Sequence, residues 1–157
     1  MQVVDIDDDV DLYGIRGADV EGRLVNSGLI EIDGIISDAG DEIDVAGIYA
    51  GDVSGSITNS GNIDIEMSFS GTDVSVIGID INDVDGAFTN SGTIEIDVVV
   101  DGPDYLTANG IEAGDVSGTF VNSGIIQITA VATDSSVDAT GIEMDTVEDG
   151  GIVRNSG

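Results

Sequence analysis

The chain has 157 residues, 41% of them apolar and 22% charged, which predicts one domain with a core rather than a disordered acidic tail. Its 32 acidic residues face three arginines and no lysine or histidine, and the net charge of -29 predicts a surface that repels nucleic acid and anionic lipid. Cysteine is absent, which excludes disulfides and thiolate metal sites, and no apolar stretch approaches the ~20 residues needed for insertion into a membrane.

A tripeptide, Asn-Ser-Gly, recurs along the chain at intervals of 33, 31, 32 and 33 residues. A second marker, Gly-Ile, precedes it by 12 residues in the first four copies. Self-similarity at a fixed period indicates a repeat protein in which each unit buries its apolar face by stacking on the next. The predicted units of this single repeat domain are 1–28, 29–61, 62–92, 93–124 and 125–157.

Each unit contains three predicted strands. After Asn-Ser-Gly, apolar residues alternate with polar ones, as in Ile63, Ile65 and Met67, and a period of two indicates a half-buried strand. A second segment of alternating apolar and polar residues runs through Gly-Ile and predicts the second strand. A third, shorter one lies before the next Asn-Ser-Gly and includes Phe88 and Phe120. Helical spacing of apolar residues is missing, and 23 glycines disfavour helix.

These features predict an all-β fold, a parallel β-helix (β-solenoid) of about five rungs of 31–33 residues with three short strands per rung. Matching strands of successive rungs would then pair in parallel. An antiparallel sandwich also uses short strands, but it gives no reason for the same residue to return at the same turn in five consecutive copies.

The asparagines of the tripeptide are predicted to stack at one corner of the coil, about 4.8 Å apart, and to pass amide hydrogen bonds from rung to rung. The glycine of the tripeptide is predicted to supply a positive φ at that corner. The predicted structural ladder consists of Asn26, Asn59, Asn90, Asn122 and Asn155.

Acidic side chains also recur in register. One predicted acidic column consists of Asp19, Asp52, Asp83 and Asp115, and a second of Glu31, Asp64 and Glu95. Like charges at neighbouring positions destabilise a sheet, so salt, bound Ca²⁺ or outward splay in water should screen them. The oxygen ligands that Ca²⁺ prefers are densest at Asp80, Asn82, Asp83 and Asp85, which are therefore candidate metal ligands. A solvated acidic face is the alternative.

Catalytic signals are weak. The absence of Lys and His argues against polysaccharide lyase chemistry, whereas a glycosidase needs only two carboxylates. A catalytic pair should interrupt the repeat, yet the acids mostly follow it, so we expect no enzyme and no required cofactor beyond possible Ca²⁺. Tyr105 is the one candidate for a ligand-facing aromatic side chain.

The ends of the sequence are in register with each other and carry no recognisable cap. Open rungs expose unpaired strand edges, which predicts either a section of a longer array or self-association end to end into a fibre.

The pattern from Gly110 to Ile126, with Gly-Ile, Val-x-Gly and Asn-Ser-Gly-x-Ile, resembles the β-solenoid passenger regions of bacterial autotransporters and filamentous-haemagglutinin-like adhesins. The resemblance covers almost the whole chain. It implies a secreted or cell-surface location and a role as stalk, adhesin or matrix component, with a surface glycan or protein as a possible ligand. The alternative function is a carbohydrate-binding or carbohydrate-cleaving β-helix module.

Overall fold

The computed structural model describes residues 3–5, 10–37, 42–70, 73–102, 105–134 and 136–157, and within these ranges the chain forms fifteen strands and no helix. In chain order the strands are β1 (Val3–Asp5), β2 (Val10–Arg16), β3 (Arg23–Asn26), β4 (Leu29–Ser37), β5 (Glu42–Ala50), β6 (Ser56–Asn59), β7 (Asn62–Ser70), β8 (Asp73–Ile81), β9 (Ala87–Asn90), β10 (Thr93–Asp101), β11 (Tyr105–Val116), β12 (Thr119–Asn122), β13 (Ile125–Thr133), β14 (Ser136–Val147) and β15 (Ile152–Asn155).

The strands build three five-stranded parallel sheets. Sheet I has the order β1-β4-β7-β10-β13, sheet II has β2-β5-β8-β11-β14, and sheet III has β3-β6-β9-β12-β15. Every third strand along the chain therefore returns to the same sheet and pairs in parallel with its predecessor. This confirms the predicted β-solenoid with three strands per rung and rules out the antiparallel sandwich. Among the described residues there is also no helix long and apolar enough to cross a membrane.

The core fills the space between the three sheets, because equivalent apolar residues stack from turn to turn. In sheet I, Ile63 of β7 pairs with Ile94 of β10, which in turn pairs with Ile126 of β13. In sheet III, the rings of Phe88 and Phe120 stack with centroids 4.5 Å apart. Burying each such side chain stabilises the fold by about 1.5–3 kcal/mol before entropy is subtracted.

The glycine of Asn-Ser-Gly has a different role from the predicted one. In the described part of the chain, positive φ occurs only at Gly102, Asp134 and Gly150, so the prediction for the tripeptide is wrong. A Cβ on Gly92 would instead overlap the carbonyl oxygen of Gly61 on the preceding turn. Glycine is needed at this corner because successive turns pack backbone against backbone.

Gly-Ile marks a bend in every strand of sheet II. In β5 the strict alternation stops there: Ile48 belongs to the core, and a Cβ on the preceding Gly47 would meet the core side chain of Ile63. Two successive residues thus face inward. Ala46 and Tyr49, on either side of the pair, remain on the outer surface, and Ala46 is buried there although it is not part of the core. The outer side chains on the two sides of the bend therefore come into contact, as Tyr13 does with Arg16 and Asn109 with Glu112, and we call this strip of the outer surface the sheet-II crease.

Candidate functional site

The asparagine ladder is continuous over five turns. The Nδ2 of Asn26 donates to the Oδ1 of Asn59 at 2.8 Å, and the same bond repeats through Asn90 and Asn122 to Asn155, at 2.8, 2.7 and 2.8 Å. The first four side chains are buried. Some of the Oδ1 atoms also accept from the backbone, as Asn26 does from Gly28 N at 3.1 Å. These residues hold the turns in register, and the four buried amides are not placed to meet a ligand.

The aspartate column lies along one edge of the coil. Backbone hydrogen bonds join Val53 N to the Asp83 carbonyl and Val84 N to the Asp115 carbonyl, which puts the aspartates in one register. The Oδ1 of Asp83 accepts from the backbone N–H of Asp115 at 2.9 Å. An N–H donor stabilises a carboxylate, so at this position the next turn supplies the partial positive charge that stacked aspartates need.

The four candidate calcium ligands do not form one preformed cage. Asp80, Asn82 and Asp83 line a concavity of about 390 Å³ on the outer surface, together with acidic residues of neighbouring turns. Asp85 does not line it, and its Oδ1 instead accepts from the Ser117 hydroxyl at 2.6 Å. Within the described ranges, no group of three or more acidic side chains has a geometry that could hold a metal ion. Calcium binding here stays a prediction.

The sheet-II crease gathers side chains that sequence reasoning did not group. Two columns flank the bend. The first consists of Tyr13, Ala46, Ile77, Asn109 and Thr140, and the second of Arg16, Tyr49, Asp80, Glu112 and Glu143. Because the sheet bends toward them, residues three apart in the same strand make contact across the crease. The sequence does carry a signal for the crease. The residue that directly follows each Gly-Ile pair changes along the coil from basic to aromatic to acidic.

One end of the crease is aromatic and basic. The rings of Tyr13 and Tyr49 lie 5.3 Å apart, and the guanidinium carbon of Arg16 lies 4.8 Å from the centroid of the Tyr13 ring and 5.6 Å from that of Tyr49. A cation over an aromatic face at such distances is attracted by the ring quadrupole. This end of the crease already accommodates a guanidinium group.

The other end is acidic and contains a buried amide. The Nδ2 of Asn109 donates to Glu112 Oε2 at 2.9 Å and to Glu143 Oε2 at 2.8 Å, which brings carboxylates from successive turns to one donor. Asn109 is 1% exposed. Its Oδ1 is buried and has no hydrogen-bond partner among the described residues. Such an atom costs about 1–3 kcal/mol when it stays unsatisfied.

Asp80 lies between the two ends, next to Glu112 on the adjacent strand. Burial, and to a lesser extent the negative charges of Glu112 and Asp44, raise the pKa of Asp80 from its ordinary value of 3.8 to about 6. A carboxyl group with this pKa exchanges a proton near neutral pH.

Replacing Asp80 should therefore change how stability depends on pH. The folded chain holds the proton of Asp80 up to about pH 6, whereas the unfolded chain releases it near 3.8, so ionisation costs stability as pH rises between these values. We expect Asp80→Asn to raise the free energy of unfolding by about 1 kcal/mol at pH 7, after discounting for solvent screening, and to have little effect near pH 4.

Urea unfolding at both pH values measures this difference. Asp101→Asn is the matched control, since Asp101 is exposed and its register partners on the adjacent strands, Ser70 and Thr133, are uncharged. The free energy of unfolding gained by Asp80→Asn could be the same at pH 4 and pH 7, or no larger than the gain of the control. Either result would show that ionisation of Asp80 does not destabilise the fold.

Tyr105 is exposed, by 43%, and its hydroxyl donates to Asp138 Oδ2 on the next turn at 3.3 Å. It lines a separate shallow concavity with Glu42, Asp73 and Thr107. The structure therefore leaves it available to a ligand, but apart from the two tyrosines of the crease.

Comparison of the chain with protein-family models, curated proteins and solved structures found no match.

Proposed function

We propose that this chain is a non-enzymatic structural or adhesive β-solenoid of the cell surface or extracellular space, like the adhesin passenger regions that its repeat resembles. It would act as a section of a long array or as a subunit that stacks end to end. The observation that carries this proposal is the continuity of its columns: five turns repeat one register of core, asparagine and glycine positions.

The outer turn at β13–β15 supports the proposal because it is chemically ready for another turn. Ile126 and Ile128 are only partly buried, whereas Ile94 and Ile96, their partners in β10, are at most 1% exposed. One more turn in the same register would cover them. The ladder also has a polarity, since every Nδ2 donates toward the Asn155 end, so a further turn would add head to tail.

Appending a turn tests whether this edge is an acceptor. We expect a second copy of residues 62–92, fused directly after residue 157, to raise the melting temperature, because it completes the burial of Ile126 and Ile128 and pairs three strand edges. A net gain of about 1 kcal/mol would raise Tm by about 2–4 °C.

The control is the same 31 residues in shuffled order, which keep the charge and length but lose the register. A fused repeat that leaves Tm at the value of the shuffled control would contradict the proposed role. Sedimentation of the parent chain at high salt then tests the fibre form of the proposal, since a fibre subunit forms species larger than 16.0 kDa and a chain that stays monomeric would contradict that form.

A carbohydrate-binding or carbohydrate-cleaving module is the second candidate, and the crease is the observation that favours it. Asp80, with its raised pKa, lies beside Glu112, and glycosidases use such a proton donor with a second carboxylate. Reducing-end assays on a panel of polysaccharides discriminate the two candidates. Activity that disappears in Asp80→Asn would support the enzyme, and its absence across the panel would favour the structural role.

A further inference from the structure

We propose that the acidic end of the sheet-II crease binds a guanidinium group, the side chain of an arginine in a basic peptide, between Asn109, Glu112 and Glu143. The crease can do this whether or not the coil also serves as a stalk.

The first support is an imbalance between acceptors and donors. Two carboxylates, Glu112 and Glu143, accept from one neutral NH₂ group, the Nδ2 of Asn109, at 2.9 and 2.8 Å, and this group has two N–H donors for their four oxygens. Asp80 adds a third carboxyl on the adjacent strand. No positively charged side chain of sheet II compensates this end, since Arg16 lies over the tyrosines at the opposite end and the other two basic residues, Arg23 and Arg154, belong to sheet III. A cation is the group that this end of the crease is missing.

The second support is independent of charge. Asn109 reaches into the cluster with its amide and is 1% exposed, yet its Oδ1 has no partner among the described residues. Buried side-chain oxygens in folded proteins nearly always accept a hydrogen bond, and an exception calls for a ligand or another specific cause. In the same column of the neighbouring turns stand Ile77 and Thr140, so the buried amide is particular to this turn. A ligand that brings N–H donors to this turn of the crease would satisfy the oxygen.

The third support decides the kind of cation. Metal ions need several oxygens converging on one point, and no group of three acidic side chains in the described ranges has that geometry. A guanidinium is planar and carries five N–H donors, so it can bridge two carboxylates and also reach an amide oxygen. Arg16 shows that such a group fits on this surface, because it occupies the same column as Glu112 and Glu143.

The test uses the full chain, labelled with ¹⁵N, and the peptide acetyl-Gly-Arg-Gly-amide. We expect the side-chain amide resonances of Asn109 to shift saturably as the peptide is added, and the peptide in which citrulline replaces arginine to leave them unchanged. Citrulline keeps the shape of arginine and removes its charge. The amide resonances of the asparagine ladder report that each variant is folded.

Two double variants with equal loss of charge separate this site from the general acidity of the chain. Glu112→Gln with Glu143→Gln should weaken binding of the arginine peptide by at least about tenfold, a loss of about 1.4 kcal/mol. Glu31→Gln with Glu95→Gln, on the exposed face of sheet I, should change it by less than about twofold. Equal weakening by the two pairs, shifts spread over all acidic faces, or an Asn109 resonance that responds to Ca²⁺ but not to the peptide would overturn the proposal.

Discussion

Replacing Asn90 by aspartate should lower the free energy of unfolding by at least about 3 kcal/mol. Asn90 is 0% exposed, accepts from Asn59 Nδ2 at 2.8 Å and donates to Asn122 Oδ1 at 2.7 Å. A carboxylate keeps the first bond but faces the Asn122 oxygen with another acceptor, and it places a charge in a buried column. Chemical denaturation at pH 7 measures the loss.

Asn62→Asp is the matched control, because it makes the same chemical change at an exposed position at the start of β7. Its effect should stay within about 0.5 kcal/mol. The deficit of Asn90→Asp should shrink as pH falls, since burial raises the folded pKa of the new carboxyl and protonation then favours the folded state. Equal losses for the two variants would mean that the asparagine column does not hold the turns together.

Gly78→Ala should be nearly as damaging, with a loss of about 3 kcal/mol in the free energy of unfolding. A Cβ at this position would overlap the Cγ2 of Ile94 and the carbonyl oxygen of Gly110 on the next turn. Relief would need movement of two adjacent strands of sheet II and of the core against them. Thermal or urea unfolding of the variant gives the value.

Gly141→Ala provides a control of opposite sign at the equivalent position of the outermost turn. Nothing lies within 4 Å of a Cβ built there. Alanine then restricts mainly the unfolded chain, so we expect an unchanged stability or a gain of about 0.4–1 kcal/mol. If Gly78→Ala proved as harmless as Gly141→Ala, the close packing of Gly-Ile against the core would be wrong.

Most of the fold could be predicted from the sequence because the spacing of the repeats determines the register in which the turns stack. The spacing of Asn-Ser-Gly fixed which residues lie above one another, and a period of two fixed which of them face the core. Ile63, Ile94 and Ile126 could therefore be aligned before their pairing was observed. Local signals sufficed because each strand pairs with its own copy in the neighbouring turn.

The role of glycine could not be read in the same way. Asn-Ser-Gly was expected to need a positive φ, but Gly61 and Gly92 are required by the close approach of two backbones, a contact between residues 31 positions apart. Gly-Ile was visible as a marker, yet the bend it makes in sheet II depends on both Gly47 and Ile48 facing inward. Composition does not encode such packing.

The crease was missed for a related reason. Sequence reasoning grouped Asp80 with Asn82, Asp83 and Asp85 because they are close along the chain. In the coil, Asp80 lies next to Glu112 of the following turn, and Glu112 shares the Asn109 amide with Glu143. These side chains can be found by aligning equivalent positions of the repeat units and asking where one unit departs from the residue type of the others.

The hydrogen bonds of the asparagine column can be observed directly by NMR. In uniformly ¹³C,¹⁵N-labelled protein, scalar couplings across hydrogen bonds should connect the Nδ2 of Asn26, Asn59, Asn90 and Asn122 each to the side-chain carbonyl carbon of the asparagine one turn later. A spectrum of the folded chain without these correlations, or with cross-strand contacts that pair neighbouring strands in opposite directions, would contradict the coil itself.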